Sequence, residues 1–105
     1  MPTLSKNPQL VDFQQYVAEL EIERGFDHQT VLEKCLMLGE EIGELFKSIR
    51  KQEGIKTDPN SKIGDLEGEL ADVFIFLCSI ANRYNVNLEQ AFLAKETINK
   101  NRIWE

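Results

Sequence analysis

Residues 69–77 read ELADVFIFL and carry the clearest structural signal in the chain. Apolar residues continue on both sides at steps of three and four, the spacing that keeps side chains on one face of a helix. This spacing predicts a helix from about Lys62 to Tyr84. Asp72 stands in its most apolar part, and an aspartate is seldom buried there unless it is paired or binds a metal. The stretch therefore predicts a helix that carries a candidate metal ligand.

Two segments before this stretch show the same helical spacing. Asn7-Pro8 offers a capping residue followed by a proline at the first helical position, so a first helix is expected from there to the stop signal at Gly25. A second helix is predicted over about residues 28–51, capped by Asp27 and ended by Gly54. Each segment is long enough to present one apolar face to a neighbour.

A fourth helix is predicted after Asn87. The spacing from Asn87 to Gln90 resembles a capping box, and the helical pattern continues to about Arg102. Residues 54–64 form the one long loop, and no alternating strand pattern is present. The predicted fold class is therefore all-α, with residues 1–105 forming a single domain.

Composition narrows the possible functions. The formal net charge of -6 argues against binding a nucleic-acid polymer, which needs a dense lysine and arginine surface. The longest apolar run, residues 73–80, is far too short to span a bilayer, so no membrane partner is expected. Cys35 and Cys78 lie in apolar helical patterns and are predicted to be buried free thiols. Together with the lack of a recognisable signal peptide, they indicate the cytoplasm.

Five acids stand on the second and third predicted helices: Glu40, Glu41, Glu44, Glu69 and Asp72. Residues three apart on a helix project from nearly the same face, so Glu41 and Glu44 point together, as do Glu69 and Asp72. If the helices are antiparallel, four carboxylates converge and need cations between them. Hard oxygen ligands in this number suit Mg²⁺, with Mn²⁺ as a substitute, rather than zinc. The alternative, a solvated acidic face, fits Asp72 poorly because its neighbours are apolar.

These motifs resemble a known family. Residues 40–44 read EEIGE and residues 69–72 read ELAD, which is similar to the EExxE and ExxD pattern of the MazG-like all-α nucleoside triphosphate pyrophosphohydrolases. That superfamily includes dimeric dUTPases, dCTPases and phosphoribosyl-ATP pyrophosphohydrolases. The resemblance covers about Asn7 to Trp104. It implies a four-helix MazG-like fold whose bundle is completed by homo-oligomerisation, as a homodimer or a homotetramer.

The resemblance also implies roles for individual residues. It assigns the metal ligands to Glu41, Glu44, Glu69 and Asp72, while Glu40 or Glu44 orients the attacking water or accepts its proton. A basic and amide cluster on the fourth helix contacts the substrate phosphates, and this cluster falls on Lys95, Asn99 and Arg102. From spacing alone, a solvated helix face is an equally good interpretation of these last three residues.

The implied reaction is Mg²⁺-dependent hydrolysis of a (deoxy)nucleoside triphosphate to the monophosphate and pyrophosphate, in nucleotide-pool house-cleaning. A second possibility is phosphoribosyl-ATP pyrophosphohydrolase activity. A third, from another class, is a non-catalytic helical regulatory or interaction protein whose acids are surface charge or bind metal without turnover. The sequence leaves the preferred base and sugar open.

Overall fold

A computed structural model describes residues 1–104 and contains four helices and no strand in that range. Their bounds are α1, Leu10–Glu23; α2, Val31–Gln52; α3, Leu66–Arg83; and α4, Leu88–Lys100. The all-α prediction and the order of the four helices are confirmed. Among residues 1–104, none of the helices combines the length and the apolar character that crossing a bilayer requires.

The predicted start of the first helix is wrong. Asn7-Pro8 lies outside α1, which begins at Leu10 with Gln9 as its N-cap residue. The backbone N–H of Gln9 donates to the Asp12 carboxylate at 2.8 Å. An acid in the first turn satisfies an otherwise free N–H and is favoured there by the helix dipole. The helix therefore starts at Leu10, which places Asp12 in its first turn.

The predicted start of the second helix is also wrong. Asp27 does not cap it, and residues 27–29 form a turn before Thr30. The Thr30 hydroxyl oxygen accepts from the backbone N–H of Glu33 at 3.1 Å, and α2 begins at Val31. A threonine hydroxyl can accept from a free N–H of the first helical turn, and Thr30 does so three residues after Asp27, so the helix starts later than predicted.

The third helix begins at Leu66, after the N-cap residue Asp65, and not near Lys62 as predicted. The buried Ser48 hydroxyl of α2 donates to the Gly64 carbonyl at 3.1 Å. This bond occupies a carbonyl that would otherwise accept from the next helical turn, and it holds the preceding loop against α2.

The predicted stop signals are confirmed. Gly25 and Gly54 follow α1 and α2 with φ angles of 74° and 73°, a left-handed conformation that glycine adopts without strain. The Asn87 side chain caps α4 by accepting from the Gln90 N–H at 3.0 Å. α4 ends at Lys100, slightly before the predicted Arg102.

α2 packs most extensively against α3, while α1 packs on α3 and makes a smaller contact with α4. The apolar residues buried in this arrangement are Val17, Leu20, Cys78 and Ala81. Cys78 is a buried free thiol, as predicted. Cys35 is exposed, so the same prediction is wrong there, because its side of α2 is not covered by another described helix.

Many large apolar side chains remain in solvent in a single copy. On α2, Leu32, Leu36 and Phe46 are at least 59% exposed. Gly39 and Gly43 lie between them at helical spacing, and a Cβ at either glycine would meet no atom within 4 Å. Residues at these steps share one helix face, so α2 carries an apolar outer stripe opposite to the side that packs on α3.

Candidate metal centre

Three of the predicted acids converge where α2 crosses α3. Carboxylate oxygens of Glu41, Glu69 and Asp72 all lie within 4.8 Å of one another, and we call these three side chains the acid cluster. Glu69 and Asp72 are one turn apart on α3 and therefore project from nearly the same face. Glu41 reaches them from α2. Their convergence follows from the spacing seen in the sequence.

The two helices run antiparallel. Glu41, in the middle of α2, meets Glu69 and Asp72, whereas Ser48, further along α2, contacts Gly64 before the start of α3. Glu41 and Ser48 are seven residues apart, which places them on the same face of α2 at two levels. The acid cluster and the Ser48 contact are thus successive levels of one helix–helix interface.

The electrostatics of the acid cluster favour a cation. Desolvation by burial, the charges of Asp72 and Glu69, a side-chain hydrogen bond with Glu69 and the charge of Glu44, in that order, raise the pKa of Glu41 above its ordinary value. Glu69 Oε2 is buried and has no hydrogen-bond partner among residues 1–104. A buried, unpartnered carboxylate oxygen is costly unless a positive charge binds it. Three hard oxygen donors with one such atom fit Mg²⁺ or Mn²⁺.

The remaining acids occupy different environments. Glu44 lies outside the acid cluster and pairs with Lys47 at 3.5 Å, although its charge is near enough to raise the pKa of Glu41. Both partners of this pair are partly exposed, so the pair contributes little to stability and opens at low cost. Glu40 is exposed to solvent. Asp72 is exposed as well, so its apolar sequence neighbours do not bury it and that expectation is wrong.

Two residues that the sequence pattern did not single out for the site contact the acid cluster or support it. Glu69 packs on Gly64, where an added Cβ would overlap Glu69 Oε1, and Ser48 holds the Gly64 carbonyl. Hydrophobic periodicity carries no information about such a contact. The only local signal was a glycine shortly before an acid-bearing helix.

The residues predicted to bind phosphate, on α4 and just after it, lie in a different part of the fold from the acid cluster. Lys95 and Asn99 line an apolar groove of about 840 Å³ between α3 and α4, together with Phe74 and Leu77. Asn99 Oδ1 is buried without a hydrogen-bond partner in the described part of the chain. None of the acid-cluster residues lines this groove. One copy therefore keeps the α4 residues and the acids in separate places.

Arg102 follows α4 and is held by the tail of the chain. Its guanidinium lies 4.8 Å from the centre of the Trp104 ring, at cation–π distance. Trp104 Nε1 in turn donates to the Asn99 carbonyl at 3.1 Å. This arrangement keeps the Arg102 charge close to the C-terminal end of α4.

Comparison with known proteins identifies relatives over most of the chain. The chain is 34% identical to dCTP pyrophosphatase 1 of Mus musculus over 103 residues, which are 93% of the chain and 61% of that protein. The chain thus spans less than two thirds of this relative. Two crystal structures of iMazG from Vibrio DAT 722, in its Ntag and Ctag forms, are each 33% identical with a TM-score of 0.66. These matches cover 90% and 88% of the chain and 99% and 98% of the solved structures.

The family match covers the residues that build the site. The model of the MazG nucleotide pyrophosphohydrolase domain matches residues 26–102, a range that includes the acid cluster on α2 and α3 and the basic and amide residues of α4. Both the family match and the solved relatives agree with the resemblance carried by residues 40–44 and 69–72. The chain belongs to the family of the MazG nucleotide pyrophosphohydrolase domain.

Proposed function

We propose that this protein hydrolyses a (deoxy)nucleoside triphosphate to the monophosphate and pyrophosphate, with Mg²⁺ as its cofactor. The observation that supports this most directly is the approach of Glu41, Glu69 and Asp72 to within 4.8 Å. Phosphoryl chemistry depends mainly on positioning and on neutralising phosphate charge, and a carboxylate cluster that holds divalent cations meets both needs.

Glu41, Glu69 and Asp72 would hold the cation, and Glu44 would join them as a fourth ligand once it leaves Lys47. Bound Mg²⁺, or Mn²⁺ in its place, supplies charge neutralisation at the phosphates and lowers the pKa of water. Glu40 or Glu44 would orient the attacking water or accept its proton. Both are partly or fully open to solvent, which suits a group that exchanges protons with water.

Lys95, Asn99 and Arg102 would contact the phosphates. Lys95 and Asn99 are four residues apart on α4 and both line the groove beside α3. Cationic and amide donors at such a site balance phosphate charge and fix the orientation of the chain of phosphates. The mouse relative is named for dCTP, so dCTP is the first substrate to test.

The protein is also proposed to work as a homodimer or homotetramer. The apolar outer stripe of α2 and the exposed Phe92 and Leu93 of α4 leave more apolar surface in water than a stable monomer usually does. A second copy would cover this surface. The exposed thiol of Cys35 and the buried thiol of Cys78 fit the reducing cytoplasm as the compartment.

The deciding experiment is pyrophosphate release across ribo- and deoxynucleoside triphosphates and phosphoribosyl-ATP, with Mg²⁺ or Mn²⁺. Release from at least one substrate, lost in a Glu41→Gln/Asp72→Asn variant, is the expected result. Glu67→Gln is the matched control, since Glu67 is an exposed acid on the same helix as Asp72. A folded protein that binds Mn²⁺ but releases no pyrophosphate would instead support the regulatory interpretation.

A further inference from the structure

The carboxylate of Glu69 rests directly on the backbone of Gly64. A Cβ built on Gly64 would lie 3.2 Å from Glu69 Cδ and would overlap Glu69 Oε1. Glu69 Oε1 therefore occupies space that is free only because residue 64 has no side chain. This space lies in the loop before α3, outside the helices that supply the acids.

Gly64 is itself held in place. The Ser48 hydroxyl donates to the Gly64 carbonyl at 3.1 Å, and Ser48 is 4% exposed. A buried hydroxyl with a single good acceptor has few alternative positions, because turning away would leave both groups unpaired. Ser48 lies on the same face of α2 as Glu41. The helix that supplies Glu41 therefore also holds Gly64, on which Glu69 packs.

Hydrogen bonding to fixed groups does not account for the position of the Glu69 carboxylate. Glu69 Oε2 is buried without a partner among residues 1–104, and Oε1 packs on Gly64. The polar neighbours of Glu69 are the like-charged groups of the acid cluster, and its side-chain hydrogen bond is with Glu41, a member of that cluster. Packing against Gly64 is therefore the contact from outside the acid cluster that limits where this carboxylate lies.

We propose that Gly64, held by Ser48, is a positioning residue that sets the Glu69 carboxylate at the distance from Glu41 and Asp72 that a divalent cation requires. This inference rests on the proposed function, because the position of Glu69 matters in this way only if the acid cluster binds a divalent cation. It predicts an unusual outcome for Gly64→Ala. The added methyl meets the mobile end of a side chain, so the fold accommodates it by displacing the carboxylate from its position in the acid cluster.

The test is the dissociation constant for Mn²⁺, measured by electron paramagnetic resonance on the full chain, together with the midpoint of thermal unfolding without metal. Gly64→Ala is expected to weaken Mn²⁺ binding about 10- to 100-fold, the usual cost of disturbing a group that orients a ligand. Ser48→Ala is expected to weaken it in the same direction. In turnover assays the loss should appear as a higher Mg²⁺ requirement that excess Mg²⁺ largely restores.

Gly68→Ala is the matched control. Gly68 precedes Glu69 in α3, and a Cβ there would also meet a carboxylate, Asp65 Oδ1 at 2.7 Å, which is outside the acid cluster. Its Mn²⁺ affinity should stay within about twofold of the original, well below the effect expected of a ligand-orienting contact.

Four results would overturn the inference. A folded Gly64→Ala protein with unchanged Mn²⁺ affinity removes the positioning role, and so does an equal loss in Gly68→Ala. If Gly64→Ala does not fold, unchanged affinity in Ser48→Ala has the same meaning. Absence of Mn²⁺ binding by the unaltered protein overturns the proposed function as well, which separates the two failures.

Discussion

Lys34 Nζ lies 3.8 Å from Glu21 Oε2, and both side chains are almost completely buried. The ammonium also lies 5.5 Å from the centre of the Phe26 ring and 5.7 Å from that of Phe76. Glu21 has a second cationic partner, Arg83, at 3.1 Å. The contacts join the end of α1, the start of α2 and the end of α3 through one carboxylate.

The two members of this pair should respond differently to mutation. Glu21→Gln leaves Lys34 and Arg83 without their shared counter-charge, so we expect a loss of about 3–5 kcal/mol in the free energy of unfolding. Lys34→Met keeps Glu21 paired with Arg83 and retains the contact with the two rings, so its cost should be less than half as large. Urea unfolding of both variants gives the comparison. A larger loss in Lys34→Met would show that the contact between the ammonium and the two rings contributes more to the free energy of unfolding than Glu21 does.

Gln14 is expected to be a second stability determinant. Its side-chain amide donates to the Asn82 side chain at 3.2 Å and to the Val86 carbonyl at 2.8 Å, and its Oε1 accepts from the Leu88 N–H at 2.9 Å. Gln14→Leu leaves these partly buried groups unpaired and should cost about 1–3 kcal/mol by urea unfolding. Gln15→Leu, one exposed position away, should change stability by less than about 0.5 kcal/mol. Equal effects of the two changes would contradict the role of the network.

The acid cluster should make metal-free stability depend on pH through Glu41. Because the pKa of Glu41 is raised above 4.5 in the folded protein, the folded state binds this proton more tightly than the unfolded state. Its contribution to stability is present at low pH and is lost as the pH rises from 4.5 through the raised pKa. Glu41→Gln, which stays neutral, should therefore gain thermal stability relative to the original protein as the pH rises above 4.5.

Metal addition should reverse that order. Mn²⁺ at about 100 times its dissociation constant should stabilise the original protein by about 2.7 kcal/mol. Glu41→Gln should show little of this gain, whereas Glu67→Gln, altered at an exposed acid, should keep all of it. Thermal unfolding with Mn²⁺ and with a chelator gives both values. Equal stabilisation of Glu41→Gln would place the ion elsewhere.

Self-association should depend on the outer stripe of α2. Leu36 is 65% exposed at its centre, beside the open face of Gly39. Leu36→Lys should shift the protein from a dimer or tetramer toward the monomer in sedimentation velocity, because it places a charge in an apolar interface. Ile103→Lys changes an 86% exposed residue outside the helices and should leave the assembly unchanged. A monomeric original protein would contradict the proposed assembly directly.

Local patterns predicted the helices better than their starting points. Gly25, Gly54 and Asn87 were readable because a left-handed glycine or a capping asparagine acts on its own neighbours. The predicted starts were wrong where the N-cap is a residue that the sequence analysis did not single out, as with Gln9 and Thr30. Before the third helix, the Gly64 carbonyl accepts from Ser48, a contact across 16 positions that no periodicity reports.

The site residues also divide into those whose positions follow from local spacing and those whose positions depend on other contacts. Glu69 and Asp72 share a face because of their spacing, and the antiparallel packing of α2 brings Glu41 to them. Glu44 is three residues from Glu41, yet its carboxylate pairs with Lys47. Helical spacing does not show whether such a carboxylate joins the other acids or pairs with a nearby lysine. Metal ligation and the roles of Glu40, Lys95, Asn99 and Arg102 stay predictions.

The attachment of α4 has a consequence for substrate capture. No residue of α4 is buried within the described chain, and its first residue is fixed by Gln14, so the helix is tethered mainly at its N-terminal end. Segments with few buried contacts open independently of the core and exchange their amide hydrogens early. Lys95 and Asn99 belong to such a segment in a single copy. Ordering α4 therefore costs conformational entropy. Either contacts with a neighbouring subunit offset this cost before the nucleotide binds, or binding of the nucleotide itself offsets it.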